Sequence, residues 1–423
     1  MTQELTKDTL DLRQWIRPGD GVFWSQACSE PVGLVDGLIE QSPELGVAGV
    51  YCGHTLRDTL ADPRAAHLRV TSHGTLGRLG HVARKRDVHI VPTHYSEIPV
   101  LFQRGAVPGD VALLQLAPPD RFGRCSFGMD AGYVADAVRY ARVVVAEINE
   151  QMPSVAGDGL ALADLDVVVR TNRPVLTVAQ PPPTEADESI AEHVAALVRD
   201  GDTIQVGVGG IPDAVLRRLH HLRDLAVHSG IVSDSMIDLV ESGVITGARK
   251  PLDHGRVVAG SALGSQRLVD FLATSHVVDM RAVSYTHRQD VLAQVGRLVA
   301  INGAIEVDLT GQVNSEVVNG RWLGAVGGQV DFLRGARAAG GVGIVALPSL
   351  AARSGDSRIV SRLSGPVTTA RSDVDVVVTE HGTALLSGRD LAQRAHALIA
   401  IADPRHRDEL TRAASVEGLL AGA

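Results

Sequence analysis

Short apolar runs rich in β-branched residues recur along the chain, separated by stretches with helical periodicity, and this alternation restricts the fold strongly. The first half of the chain holds five such runs: Val47–Val50, Val88–Pro92, Val111–Leu116, Val143–Ile148 and Val167–Val169. Residues that break strands bound each run. Such alternation is typical of an α/β layer with a mostly parallel sheet. Aromatic residues make up only 3% of the chain, which suits buried parallel strands beneath closely packed helices.

The length of the chain and one proline cluster predict two domains. A chain of 423 residues exceeds a single core, since domains usually have about 100–200 residues. Three consecutive prolines, Pro181 to Pro183, continue neither a helix nor a central strand and stiffen the connection. We therefore predict an N-terminal domain of residues 1–182 and a C-terminal domain of residues 183–423.

Three short segments of the first half recur in the second half. The pairs are Gly19-Asp20 with Gly201-Asp202, Asp120–Ser126 with Asp308–Ser315, and Val143–Glu147 with Val376–Glu380. All three recur in the same order. The sequence therefore predicts two related open α/β domains with mostly parallel sheets.

Charge and cysteine content argue against several classes of protein. A net charge of −9 does not favour a nucleic-acid surface, which draws on clustered Lys and Arg. The N-terminus lacks the apolar core of a secretory signal, and no uncharged apolar stretch of about 18 residues predicts a membrane span. Cys28, Cys52 and Cys125 lack metal-site spacing, so we expect no metal site and a cytoplasmic protein with free thiols.

Two glycine-rich turns are candidates for ligand binding. The first comprises Gly207, Val208, Gly209, Gly210 and Ile211, between a predicted strand and a predicted helix. The second contains Gly324, Gly327 and Gly328. Glycine lets a ligand approach the backbone, and a helix N-terminus offers free N–H groups to an anion. Either turn alone could equally be a tight structural connection.

Longer motifs resemble those of one family across nearly the whole chain. In the first half they are Ser96–Pro99, Pro118–Asp120 with Gly123 and Cys125-Ser126, Ala146–Asn149 and Met152-Pro153. In the second half they are Gly243–Gly247, Glu306–Glu316, Gly327–Phe332, Val367–Thr369, Arg371–Asp373, Val378–Glu380 with Gly382, and Arg394–Leu398. The chain thereby resembles the acetyl-CoA hydrolase/transferase family, which includes 4-hydroxybutyrate CoA-transferase and succinyl-CoA:acetate CoA-transferase.

The resemblance implies a chemistry and a placement of the substrate. Family members consist of two α/β domains, with CoA along the second and the acyl group between the two. The turn at Gly207–Ile211 would contact CoA, and Gly327-Gly328 would flank the thioester carbonyl, where backbone N–H groups can hold an oxyanion. Family transferases attack the acyl-CoA with a glutamate and pass through a covalent glutamyl-CoA thioester. The resemblance also suggests a homodimer, a CoA thioester as substrate, a small carboxylate as acceptor, and no tightly bound cofactor.

The chain departs from the family where that glutamate is expected. The family motif is His-Ser/Thr-Glu, whereas this chain reads His228-Ser229-Gly230. A second departure is His287, where relatives tend to carry Asn. Three functions remain open. Transfer could proceed by direct attack of the acceptor or with Glu30 or Asp234; water activated by His228 or His287 could make the protein an acyl-CoA hydrolase; or it could bind acyl-CoA without catalysis. A His base with a pKa near neutrality would suit hydrolysis.

The candidate side chains also have structural interpretations. His228 could be a hydrogen-bonded residue of a strand, and His287 could be exposed beside Arg288. Asp234 could cap the following helix, and Glu30 could favour a helix dipole. The pair Glu380-His381 is expected to close a buried strand.

Overall fold

The computed structural model describes residues 2–6 and 9–420, and the chain divides into two compact units. One unit contains the chain up to Ala179 together with Val258–Thr286, and the other contains Gln180–Val257 and the chain from His287 onward. The first change of unit lies close to the predicted boundary at 182–183. The segment Val258–Thr286 returns to the first unit, for which the sequence offered no local signal.

The strands and helices alternate along the chain as the apolar runs predict. The strands are β1 Gln3–Leu5, β2 Gly21–Trp24, β3 Gly49–Tyr51, β4 Val70–Ser72, β5 Val88–Ile90, β6 Val111–Leu116, β7 Arg124–Ser126, β8 Val143–Asn149, β9 Ala156–Gly157, β10 Gly159–Ala161, β11 Val167–Thr171, β12 Thr203–Val206, β13 Ala226–Val232, β14 Val257–Ala262, β15 Val278–Met280, β16 Leu298–Gly303, β17 Glu306–Asp308, β18 Val313–Asn314, β19 Val317–Val318, β20 Arg321–Trp322, β21 Val342–Ala346, β22 Ile359–Val360, β23 Val376–Thr379 and β24 Gly382–Leu385. The α-helices are α1 Val32–Leu45, α2 Leu79–Val82, α3 Ile98–Gln103, α4 Val134–Ala137, α5 Glu185–Ala195, α6 Gly210–Arg218, α7 Ser235–Glu241, α8 Gln266–Thr274, α9 Val283–Thr286, α10 Gln289–Leu292, α11 Gln329–Ala338, α12 Leu391–Ile401 and α13 Arg407–Val416. Among the described residues, no helix combines the length and apolar character needed to cross a membrane.

The first unit is built on an eight-stranded parallel sheet with the order β1-β11-β8-β6-β2-β3-β4-β5. Its central strands are buried on both faces: every residue of β2, β6 and β8 is buried. Helix α1 covers one face with Leu34, Val35, Leu38 and Ile39, spaced one helical turn apart. Each fully buried side chain of this size contributes about 1.5–3 kcal/mol of hydrophobic stabilisation.

The second unit repeats this topology. Its strands β23, β21, β16, β12 and β13 are parallel neighbours in that order. In the first unit, the strands β11, β8, β6, β2 and β3 follow the same order. The strand that comes first in the chain, β2 in the first unit and β12 in the second, occupies the fourth position in each of these orders. The later strands lie on both sides of it. The prediction of two related open α/β units with mostly parallel sheets is confirmed.

One repeated segment forms the same turn in both units. The Oδ1 atom of Asp120 accepts from the backbone N–H groups two and four residues later, at 2.8 and 2.9 Å. The Oδ1 atom of Asp308 does the same, at 2.9 and 3.0 Å. Gly123 and Gly311 follow each aspartate at the same position, with φ of 75° and 95°. Both turns need glycine there, because this left-handed conformation disfavours residues with a Cβ atom.

The two remaining repeats have different outcomes. Asp20 and Asp202 play matching roles, since each accepts from the backbone N–H three residues earlier at 2.7 Å and pairs with an arginine that directly precedes another strand. The match of Val143–Glu147 with Val376–Glu380 is wrong as a structural equivalence. By sheet position β8 corresponds to β21, and β23 corresponds to β11. Valine-rich buried strands resemble each other because burial on both faces selects the same residues.

Candidate active site

The first glycine turn lies at the carboxyl end of β12. Strand β12 ends at Val206, and α6 begins at Gly210. Gly209 has φ of +125°, which only glycine adopts readily. Pro212 lies in the first turn of α6, where a missing N–H costs no helical hydrogen bond. The helix therefore begins within the glycines, three residues before Asp213, where the sequence pattern predicts its start.

Gly207 and Gly210 are glycines for different reasons. A Cβ atom added at Gly210 would lie 2.5 Å from Oδ2 of Asp187, so packing excludes a side chain there. At Gly207 an added Cβ atom would have no neighbour within 4 Å, and its φ is not in the left-handed region. Neither close packing nor a left-handed backbone requires the glycine at 207. The open space beside it leaves room for a bound molecule.

A groove of about 250 Å³ runs along this turn. Its walls are the turn itself, the carboxyl ends of β16 and β21, and parts of two further segments: Asp187, Gly207–Pro212, Ile301–Ala304, Ala346, Pro348 and Arg358. Strands β12, β16 and β21 are parallel neighbours, so their carboxyl ends meet at this edge. Open α/β sheets bind ligands outside the carboxyl ends of their strands. The sequence singled out the glycines but missed Arg358, which lies far away in the chain.

The side chain of His287 packs beside Gly230. A Cβ atom added at Gly230 would lie 3.0 Å from both Cε1 and Nε2 of His287. On another side, a Cβ atom added at Gly328 would lie 2.5 Å from Nε2 of the same ring. The ring of Phe332 lies 4.6 Å from the His287 ring, centroid to centroid. The structure therefore brings together three predicted site residues, Gly230, His287 and Gly328, around one imidazole.

His287 is buried, with 3% of its surface exposed, and the alternative of an exposed histidine is wrong. Burial lowers the pKa of His287 to about 3. The ring is therefore neutral at physiological pH, and such a low pKa makes it a weak base. A neutral imidazole still has one N–H donor and one acceptor nitrogen.

Strand β13, which carries His228 and Gly230, is fixed by hydrogen bonds. His228 is fully buried. The hydroxyl of Ser229 lies 3.0 Å from the carbonyl oxygen of Val206 and 2.7 Å from that of Ile231. The buried Nζ atom of Lys250 donates to the carbonyl oxygen of Val227 at 3.0 Å. Such anchoring fixes the backbone on both sides of His228, whose role in chemistry stays a prediction.

The second glycine turn precedes α11. Gly327 has φ of +59°, and Gly328 is the residue directly before the helix. Gly324 has a structural reason of its own, because an added Cβ atom would lie 2.0 Å from the carbonyl oxygen of Ser315. Gly328 therefore presents its backbone beside His287, Gly327 supplies the left-handed turn before it, and Gly324 allows close packing of the chain.

The other candidate carboxylates are engaged within the fold. Glu30, in the first unit, is 1% exposed and accepts from the hydroxyl of Thr55 at 2.7 Å. Burial raises the pKa of Glu30 above its usual value. Glu380 follows β23 and accepts from both the N–H and the hydroxyl of Ser349, at 2.8 and 2.6 Å. Asp234 stands directly before α7 but makes no capping hydrogen bond, contrary to the helix-cap interpretation.

Comparison with known proteins identifies the family. The model of the acetyl-CoA hydrolase/transferase N-terminal domain matches residues 6–179, and the model of its C-terminal domain matches residues 264–414. The chain belongs to the acetyl-CoA hydrolase/transferase family. Gly230 lies in the stretch between the two matched ranges, so the family models do not bear on that position.

Relatives of this acetyl-CoA hydrolase/transferase family member extend over most of its length. The chain is 36% identical over 397 residues to 4-hydroxybutyrate coenzyme A transferase of Clostridium kluyveri, covering 92% of each chain. It is 38% identical over 409 residues to succinyl-CoA:acetate/propanoyl-CoA:succinate CoA transferase of Fasciola hepatica, covering 95% of this chain and 85% of the relative. The crystal structure of RipA from Yersinia pestis matches with a TM-score of 0.90 at 31% identity, covering 99% of this chain and 98% of that one. The family and the fold class predicted from the sequence are confirmed.

Proposed function

We propose that this protein transfers CoA between an acyl-CoA thioester and a small carboxylate acceptor. The observation that carries the proposal is the groove at the carboxyl ends of β12, β16 and β21, whose wall contains Gly207–Ile211. It supports binding of CoA along the second unit. The relatives at 36% and 38% identity are CoA transferases by name, which agrees with this activity.

The transfer would proceed without a covalent intermediate at residue 230. Gly230 has no side chain that could form an anhydride, and the neighbouring His287 does not supply a carboxylate in its place. An oxygen of the acceptor carboxylate would attack the thioester carbonyl carbon, and the C–S bond would break to release CoA thiolate. The thiolate would then attack the acceptor carbonyl of the resulting mixed anhydride and release the donor carboxylate. The N–H groups of Gly327 and Gly328 would stabilise the oxyanion in both steps.

Hydrolysis is a second candidate, favoured by the same glycine. Water in place of the acceptor would attack the thioester carbon and release a carboxylic acid and CoA thiol. The low pKa of His287, about 3, argues against this residue as the general base, so His228 would be the base in this alternative. The family name includes both activities.

One experiment separates these functions. The protein is incubated with acetyl-CoA, butyryl-CoA or succinyl-CoA and a radiolabelled carboxylate acceptor, and both labelled CoA ester and free thiol are measured. Labelled CoA ester is the result expected for transfer. Free thiol without label would establish hydrolysis. Calorimetric binding of CoA with neither product would show a binding protein and contradict both catalytic proposals.

We expect Gly207→Ala to weaken CoA binding without weakening the fold. Alanine at a compatible backbone position raises the free energy of unfolding by about 0.4–1 kcal/mol. The added methyl group would take space in the groove and lower CoA affinity about tenfold, as one misplaced carbon does in a pocket. Urea unfolding and calorimetric titration with CoA check the two effects.

Gly37→Ala is the matched control for this substitution. Gly37 lies inside α1, where an added Cβ atom would contact only Nε2 of Gln41, at 3.9 Å. This control should gain about 1 kcal/mol of stability and keep the CoA affinity of the original protein. Unchanged CoA affinity in Gly207→Ala would show that CoA does not pass over Gly207.

The cytoplasm and a homodimer are the proposed location and assembly. Cys28, Cys52 and Cys125 form no disulfide bond and are all buried, which fits a reducing compartment. The homodimer and the absence of a tightly bound cofactor rest on the family resemblance. Sedimentation of the purified protein and its absorption spectrum test them directly.

A further inference from the structure

The groove beside Gly207–Ile211 is lined by two charged residues, Asp187 and Arg358. The carboxylate of Asp187 serves the start of α5: its Oδ2 atom accepts from the N–H and the hydroxyl of Thr184, both at 2.9 Å. Arg358 is different. Within residues 2–6 and 9–420, its guanidinium makes no hydrogen bond and no ion pair shorter than 4.0 Å. It is also the single cation among the described residues that line the groove.

The backbone holds Arg358 firmly in this place. Its N–H donates to the carbonyl oxygen of Ser349, and its own carbonyl oxygen accepts from the N–H of Val307, both at 2.8 Å. The residue directly precedes β22, which pairs with β17. The position of this side chain at the groove is therefore set by sheet pairing on the following residues.

The surroundings of Arg358 leave its donors unused. The side chain is partly buried, and this burial lowers its pKa, while the charge of Glu380 acts in the opposite direction. Glu380 accepts two hydrogen bonds from Ser349 and forms neither a hydrogen bond nor an ion pair with Arg358. The N–H donors of the Arg358 guanidinium are therefore available to a ligand in the groove.

We propose that Arg358 binds a phosphate group of the CoA substrate in this groove. The inference rests on the proposed function, since CoA supplies the phosphates. A guanidinium matches two phosphate oxygens with two parallel N–H groups. Gly207, which has no neighbour within 4 Å of an added Cβ atom, lets the phosphate approach the backbone of the turn in the same groove. The positive charge of Arg358 offsets the repulsion between an anion and Asp187, which also lines the groove.

The test compares Arg358→Gln with Arg353→Gln, an exposed arginine five residues earlier. CoA affinity is measured by calorimetry, and kcat/KM is measured with acetyl-CoA and with S-acetyl-pantetheine, which has the thioester but no phosphate. In Arg358→Gln we expect CoA affinity and kcat/KM for acetyl-CoA to fall about 10- to 100-fold, the loss typical of a charge-assisted hydrogen bond. Turnover of S-acetyl-pantetheine should stay the same in both variants. The control should match the original protein with every ligand.

Three results would overturn the assignment. Equal CoA affinity in Arg358→Gln and the original protein would refute it while leaving the proposed function intact. An equal loss of turnover with acetyl-CoA and S-acetyl-pantetheine, at an unchanged thermal midpoint, would show that Arg358 acts on the thioester end and not on a phosphate. Absence of CoA binding and turnover in the original protein would refute the proposed function and this assignment together.

Discussion

Glutamate introduced at position 230 is expected to open no covalent route of CoA transfer by itself, and to open one when His287 is replaced by asparagine in the same chain. The family resemblance predicts that Gly230→Glu alone creates or raises transferase activity. The contacts around residue 230 argue otherwise, since even a Cβ atom there would lie 3.0 Å from two atoms of the His287 ring and 3.4 Å from Phe332 Cε2. Overpacking of this kind costs about 1–3 kcal/mol and displaces neighbouring side chains.

The double variant Gly230→Glu/His287→Asn removes this clash. Asparagine is smaller than histidine, and the family resemblance suggests it at that position. We expect the double variant to attack acyl-CoA with the new carboxylate and to accumulate a glutamyl-CoA thioester. Mass spectrometry of the protein after mixing with acyl-CoA would detect the added mass of CoA. Transferase activity of the double variant should exceed that of Gly230→Glu, because only the double variant has room for the covalent route.

Two single variants serve as controls. Gly230→Ala introduces only the Cβ atom, so it should lose about as much stability as Gly230→Glu without any new chemistry. His287→Asn alone opens the space but adds no carboxylate, and should form no covalent adduct. A folded Gly230→Glu variant with a glutamyl-CoA adduct and full activity would refute the claim that residues 230 and 287 compete for the same space.

The local elements of the fold could largely be predicted, and their ends less well. The run Val111–Leu116 matches β6 residue for residue, because a buried parallel strand is mostly apolar, here with Gln115 as the one polar residue. Helix α1 continues to Leu45, even though Pro43 lies within it, whereas the sequence pattern predicts a helix that runs only through Glu40. The hydroxyl of Ser42 donates at 3.0 Å to the carbonyl oxygen of Ile39, which Pro43 cannot serve. The periodicity of the sequence does not reveal that a serine hydroxyl can replace the missing N–H group of the proline.

Long-range placement could not be predicted from local patterns. The segment Val258–Thr286 belongs to the first unit because side chains far away in sequence bind it, among them Asp136, which accepts from the N–H and hydroxyl of Ser284 at 2.9 and 2.7 Å. The same limit applies to the site. Gly207–Ile211 has a local signature, since glycines between a strand and a helix are conspicuous. Arg358 has none, because it reaches the groove through the pairing of β22 with β17.

Acid is expected to destabilise the first unit through His73, which is 1% exposed. Its Nδ1 atom lies 3.0 Å from the hydroxyl of Tyr51, and burial lowers its pKa to about 4, with a smaller contribution from His54. In an unfolded chain the pKa of histidine is about 6.5. Between these two values the unfolded state binds a proton that the folded state does not, so stability falls as the pH falls. From pH 7 to pH 5 the loss is about 2 kcal/mol, one pKa unit being worth about 1.4 kcal/mol.

His73→Asn should remove this part of the pH dependence. Asp130 acts in the opposite direction, because burial raises its pKa to about 7 and the folded state then binds a proton that the unfolded state lacks. The original protein and His73→Asn share the effect of Asp130, so the difference in their pH dependence isolates the contribution of His73. Urea unfolding followed by the fluorescence of Trp15 and Trp24, which lie in the same unit, gives the free energy at pH 7 and pH 5. The variant should lose about 2 kcal/mol less than the original protein. The control His220→Asn, at an exposed position, should lose as much stability between pH 7 and pH 5 as the original protein. If His73→Asn also lost as much stability as the original protein, His73 would be protonated in the folded state at pH 5.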